Sequence, residues 1–247
     1  PPIEDLKEKI TDKTRAILIC NPSNPTGYLY TETEIKALVD LAVENDIFII
    51  VDEVYREFIY TGADHYSVLK SEKGSQHAVM IDSVSKRYSL CGARVGCMIS
   101  KNKRLIATAL KFAHLRLSPP ALALMASEAA IAAPDSYLEA VKNEYALRRE
   151  VTVEALEKIK DVEVSIPMGA FYCITKLPVE SAEDFSRFLL TDFQDNGQTV
   201  MLAPAAGFYS SPELGKDQVR LAFVLESNKL KRAAEILEKA LTAYNNS

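Results

Sequence analysis

The sequence predicts an α/β fold, with a mostly parallel sheet covered by helices in its first half and a smaller α+β unit behind it. Residues 16–20, 47–51, 78–81 and 95–99 are short runs apolar at nearly every position, the pattern of strands buried on both faces. Helical or loop connections separate these runs, and strands joined by helical connections pair in parallel. After the break at Ser118-Pro119-Pro120, a long helix over about 137–159 has the length of a connector between domains. The expected division is therefore residues 1–134 for the larger domain and 135–247 for the smaller one.

Each element follows from local chemistry. The run at 16–20 (AILIC) ends in the turn-rich segment Asn21-Pro22-Ser23-Asn24-Pro25-Thr26-Gly27. Thr31 then opens a helix, with Glu34 three residues on as in a capping box and Ile35, Leu38, Val39 and Ala42 on one face. The second run ends at Asp52 and the third at Asp82. An alanine-rich helix is expected from Ala121 to about Ala133. The second half reads as a strand at 162–166, a turn at Pro167-Met168-Gly169 and a strand at 170–175. A helix at 182–192, a strand at 219–224 and a closing helix at 229–244 complete it.

Composition narrows the function. The chain of 247 residues is 48% hydrophobic, enough for a packed core, and its formal charge is −5 with both signs interspersed. Without a basic block, neither nucleic acid nor an anionic membrane surface is an expected partner. The apolar runs are too short to span a bilayer and no secretory signal opens the sequence, so a cytoplasmic location is expected. None of the four cysteines or three histidines has metal-ligand or catalytic-triad spacing, and no metal is expected.

Ligands of open α/β sheets bind at the carboxyl ends of the strands. Four polar clusters are expected at such ends: residues 21–27, 52–55, 83–86, and Arg94. Taken singly, the first is an ordinary turn, Asp52 a helix cap and Lys86 a solvated surface lysine. Together they fall on one rim in the order that a single cofactor site needs.

That order resembles the class I/II aminotransferases, fold-type I enzymes that use pyridoxal 5'-phosphate. The likeness lies in N-P-S-N-P-T-G (21–27), D-E-V-Y (52–55), S-V-S-K (83–86) with Arg94-Val95-Gly96, and V-R-L-A-F (219–223). It runs from end to end of the chain, and the wording is most like prokaryotic aspartate aminotransferases. The resemblance implies a partial large domain followed by the small C-terminal domain. It makes Lys86 the Schiff-base lysine and Asp52 the partner of the pyridine nitrogen. Tyr55 and Asn24 bond the ring's phenolic oxygen, with Tyr55 counted among the catalytic groups. Ser83, Ser85 and Arg94 hold the phosphate. Arg220 takes the substrate α-carboxylate as a bidentate fork, with Asn24 beside it. Arg116 is a weaker candidate for a side-chain carboxylate. Phe171 and Tyr172 stand near the family's substrate entrance or are plain core aromatics.

Family chains extend well upstream of the 21–27 loop, with a phosphate-binding loop and a ring that stacks on the cofactor. Only twenty residues precede Asn21 here, so the sequence is expected to be a fragment with an exposed sheet edge and poor stability by itself. The implied reaction moves an amino group between an amino acid, aspartate first, and a 2-oxo acid such as 2-oxoglutarate. A homodimer is implied with it. The alternatives are a β-eliminating lyase on the same cofactor and the non-catalytic aminotransferase-like domain of a regulator.

Overall fold

The computed structural model describes residues 3–211 and 213–246; Pro1, Pro2, Pro212 and Ser247, which the expected domains include, lie outside the described residues. The chain forms two compact units, one of Pro1–Ser23 with Tyr28–Glu139 and one of Asn24–Gly27 with Ala140–Ser247.

The first unit holds helix α1 (Ile3–Lys9), strand β1 (Ala16–Cys20), helix α2 (Glu32–Glu44) and strands β2 (Phe48–Asp52), β3 (Ala78–Ser83) and β4 (Gly96–Ile99). Its sheet runs β1-β2-β3-β4, with the first three strands parallel and β4 antiparallel to β3. The capping box forms as expected: the Thr31 hydroxyl accepts from the Glu34 amide at 3.2 Å, and the Glu34 carboxylate accepts from the Thr31 amide at 2.7 Å. Ile35, Leu38, Val39 and Ala42 of α2 are buried with Ile49, Val51, Ala78 and Met80 of the sheet.

Burial on both faces does not hold for every strand. β3 comes closest to it and β2 alternates, whereas β1 and β4 are largely open, with Leu18 71% exposed. The reason is position: β1 and β4 form the two edges of this sheet. Two helices follow, α3 (Lys103–Arg116) and α4 (Ala121–Ile131). α3 has no counterpart in the sequence expectations, although Asn102 caps it by accepting from the Leu105 amide at 2.9 Å. Leu110, Phe112 and Leu115 of α3 and Leu122 and Met125 of α4 stand exposed.

Helix α5 (Asp135–Leu156) leads into the second unit, which continues with β5 (Glu163–Val164), β6 (Tyr172–Lys176), α6 (Ala182–Thr191), β7 (Ala203–Pro204), β8 (Gln218–Ala222) and α7 (Ser227–Asn245). Its sheet, β5-β6-β8-β7, is antiparallel throughout. Phe185 and Leu189 of α6 meet Cys173 and Val219 of the sheet and Leu237 and Leu241 of α7 in one buried cluster. The Phe185 ring meets Tyr244 edge to face at 5.2 Å. Phe185→Ala is expected to destabilise this unit by about 3–5 kcal/mol, read from the midpoint of chemical denaturation.

Candidate active site

Parallel pairing sets the ends of β1, β2 and β3 along one rim, with Cys20 opposite Asp52 and Asp52 opposite Ile81. Arg94 comes to this rim differently from expectation. It precedes β4 instead of following a strand, and because β4 is antiparallel its amino end lies beside the carboxyl end of β3, Gly96 opposite Ser83. Gly96 permits that approach, since a Cβ there would sit 2.9 Å from the Asp82 carbonyl oxygen. Arg94 itself adopts the left-handed conformation, φ 56° and ψ 38°, is exposed, and donates from Nη1 to the Cys91 carbonyl at 3.0 Å.

At the end of β2 the Asp52 carboxylate is half-buried and accepts from the Val54 amide at 3.1 Å. Burial and the nearby Asp82 charge push its pKa up, opposed by the Val54 N–H and by the positive charge of Lys86. The Lys86 Nζ stands 6.0 Å from the ring centre of Tyr55, which is buried.

Because the folded pKa of Asp52 lies above its unfolded value, its ionisation opposes folding. Its favourable contribution is complete below the unfolded carboxylate range and is lost as pH rises through the folded pKa. Asp52→Asn should therefore raise the melting temperature of the cofactor-free protein near pH 8, with the gain vanishing at about pH 3. Paired thermal melts at the two pH values check this.

The turn after β3 carries Ser83, Ser85 and Lys86. The Ser83 hydroxyl donates to the Val95 carbonyl at 2.8 Å and accepts from the Ser85 amide at 3.1 Å, with the two hydroxyl oxygens 2.8 Å apart. With its one proton given to Val95, Ser83 must rotate its hydroxyl before it can donate to a bound anion. The contact between the two hydroxyls then takes the Ser85 proton, so Ser85 must rotate as well before it can donate to an anion.

A charged cluster missed by the sequence analysis anchors this turn. Asp82 takes Arg87 at 2.5 Å and Arg56 at 3.1 Å, and Arg87 also reaches Glu57 at 3.4 Å. Arg87 and Asp82 are buried, so each charge depends on the other for compensation. Sequence reasoning placed Asp82 at the end of the third run but gave no sign that the arginine one step beyond Lys86 would pair with it, since such a residue reads equally well as a surface arginine.

In the second unit Arg220 lies on β8. Its Nη1 donates to the Asn24 side-chain oxygen at 3.0 Å, and its guanidinium lies 4.8 Å from the Tyr172 ring centre and 5.1 Å from that of Phe208. Among the described residues no carboxylate pairs with it, so it is not the partner of a surface salt bridge. Cation–π attraction to two rings holds the guanidinium in place, and its remaining N–H groups are donors for a planar anion. Asn24 is held in place through its loop: the Gly27 carbonyl accepts from the amides of Met168 and Gly169, each at 2.9 Å. Gly27 has φ +70°, and a Cβ there would lie 2.3 Å from Pro167 Cβ, so only glycine fits. Phe171 is buried against Tyr145 at 5.3 Å and is a core aromatic, whereas Tyr172 supports Arg220. Arg116 is exposed near the end of α3.

The family model for aminotransferase class I and II matches residues 2–237. The chain belongs to that family. It is 31% identical over 250 residues to the aspartate aminotransferase of Bacillus subtilis, covering 98% of this chain and 61% of that one. The aspartate aminotransferase of Bacillus sp. strain YM-2 is 30% identical, with 96% and 60% covered. The solved aspartate aminotransferase of Thermotoga maritima superposes with a TM-score of 0.84 at 30% identity, over 98% of this chain and 60% of that one. The aromatic aminotransferase of Pyrococcus horikoshii superposes at 0.87 with 28% identity, over 99% and 64%. This class I/II chain has the fold-type I architecture of its structural neighbours and spans about 60% of the length of the curated relatives it matches.

Proposed function

We propose that this protein is a pyridoxal-phosphate-dependent aminotransferase that holds its cofactor as a Schiff base on Lys86. The single observation that carries the reading is the rim where three parallel strands end, which sets the half-buried Asp52 next to the end of the strand that leads into the Lys86 turn. When bound, pyridoxal phosphate supplies an electron sink for the electrons left at the substrate α-carbon. Asp52 suits it: a carboxylate shielded from water makes a strong hydrogen bond to a protonated ring nitrogen and keeps that proton in place.

The remaining roles belong to this chain's own residues. The Lys86 amine would be the group that carries a proton to and from the substrate α-carbon. Tyr55 and Asn24 orient the ring through its phenolic oxygen. Arg94 neutralises the phosphate, and the hydroxyls of Ser83 and Ser85, both rotated, bond it. Arg220 takes the α-carboxylate of the substrate in a fork, its guanidinium held by Tyr172 and Phe208.

Aspartate with 2-oxoglutarate is the substrate pair we favour, supported by the names of several relatives. We also propose a homodimer, by family resemblance. The test is an assay of the natural protein with aspartate, with and without 2-oxoglutarate. Glutamate and oxaloacetate forming only with the acceptor present is the expected result. Keto acid and ammonia released from a sulfur amino acid without any acceptor would instead make it an eliminating lyase.

A further inference from the structure

We infer that Glu53 and His65 form a neutral pair, with protonated Glu53 facing the Nδ1 lone pair of His65, and that this pair positions Asp52 by holding the strand ends at the rim. The positioning role rests on the proposed place of Asp52 beneath the cofactor ring; the protonation of the pair does not.

The argument starts from hydrogen-bond direction. The His65 Nε2 lies 3.2 Å from the Asn21 carbonyl oxygen, which only accepts, so Nε2 carries a proton. The other ring nitrogen, Nδ1, faces Glu53 Oε2 at 3.9 Å. The Glu53 side chain is fully buried, and its Oε1 accepts from the Val68 amide at 2.8 Å, which makes Oε1 the carbonyl-like oxygen. Oε2 has no hydrogen-bond partner among the described residues and is left as the atom to bear a proton, and Nδ1, 3.9 Å away, offers it a lone pair. An ionised Glu53 beside a neutral ring would instead bury a net charge against another acceptor.

The surrounding groups agree. Burial comes first in raising the Glu53 pKa, helped by Asp82 and opposed by the Val68 amide, the Ser67 hydroxyl and Arg56. Burial likewise comes first in lowering that of His65, with Arg56 and Lys70 in the same direction and the Asn21 carbonyl and Glu57 against it. Both groups are thus driven toward their neutral forms, and a neutral buried pair avoids the desolvation cost of an ion pair.

What the pair holds is the rim. The Asn21 carbonyl bonded by His65 belongs to the peptide at which β1 gives way to the 21–27 loop. The Asn21 amide donates to the Asp52 carbonyl at 2.9 Å, and the Asn21 side-chain oxygen accepts from the Tyr30 amide at 3.0 Å. His65 is therefore tied through one residue to the backbone of Asp52, while Glu53 is the next residue in the chain.

The test uses the natural protein with its histidines labelled with nitrogen-15, the His65 resonances being assigned by their loss in His65→Asn. At pH near 7 the expected shifts are those of a neutral ring with Nε2 protonated, unchanged in Glu53→Gln, whose amide N–H replaces the carboxyl proton. Imidazolium shifts for His65, or a change of tautomer in Glu53→Gln, would overturn the neutral pair. For positioning, the readout is the pH midpoint of the absorbance change of the lysine-bound cofactor. His65→Asn and Glu53→Ala are expected to move it upward by about one unit, with Glu53→Gln staying at the wild-type value. If His65→Asn titrates like wild type, the positioning role is wrong. If the wild-type protein shows no cofactor absorbance, the proposed function and the positioning role fall together, and the nitrogen shifts still decide the pair.

Discussion

Replacing Lys86 by alanine is expected to lower turnover by roughly 10^4-fold, the upper range of what a positioned proton-transfer group supplies. Two losses combine in this one substitution. The amine that condenses with the cofactor is gone, and so is the base that moves the α-proton. Arginine at the same position separates charge from chemistry, because it restores a cation beside Asp52 and Tyr55 but has no amine able to condense. Single-turnover kinetics with aspartate should find Lys86→Arg as inactive as Lys86→Ala. A lysine that mattered only as a counter-charge to Asp52 would leave the arginine variant substantially active.

The second large effect is at Arg220. Loss of a bidentate, charge-assisted pair to the substrate carboxylate should lower kcat/KM by about 10^3-fold in Arg220→Ala. Arg220→Lys should lose about 10^2-fold, since an ammonium keeps the attraction but not the fork. The loss should fall mainly on KM if the fork binds substrate and transition state alike. Equal activity of the lysine variant and the wild type would remove the fork from the argument.

Much of the first unit was legible because its signals are local. Thr31 and Glu34 announce a helix start, and Ile35, Leu38, Val39 and Ala42 fall at helical spacing, so the sequence marks both the helix and its buried face. The direction of β4 was not legible. Strand polarity depends on how the short stretch between Lys86 and Gly96 folds back, and apolar residues at 95–99 read the same in either direction. Arg94 was consequently expected at the wrong end of a strand, although on the correct rim.

Exposure of β1 was hidden for a related reason: whether an apolar strand lies in the middle or at the edge of a sheet is a property of its neighbours. Side-chain pairings across long separations, such as Arg220 with Asn24 or His65 with Asn21, leave no periodic trace at all. His65 lacks any motif, so its place behind Asp52 emerges only when the strands are paired.

The most direct test is to treat the natural protein with pyridoxal phosphate, reduce with borohydride, and locate the modified peptide by mass spectrometry. A pyridoxyl group on Lys86 is the predicted result, and it would leave only the substrate to identify. Modification of another lysine, or of none, would contradict the assignment of Lys86 and with it the roles given to Asp52, Tyr55 and Arg94.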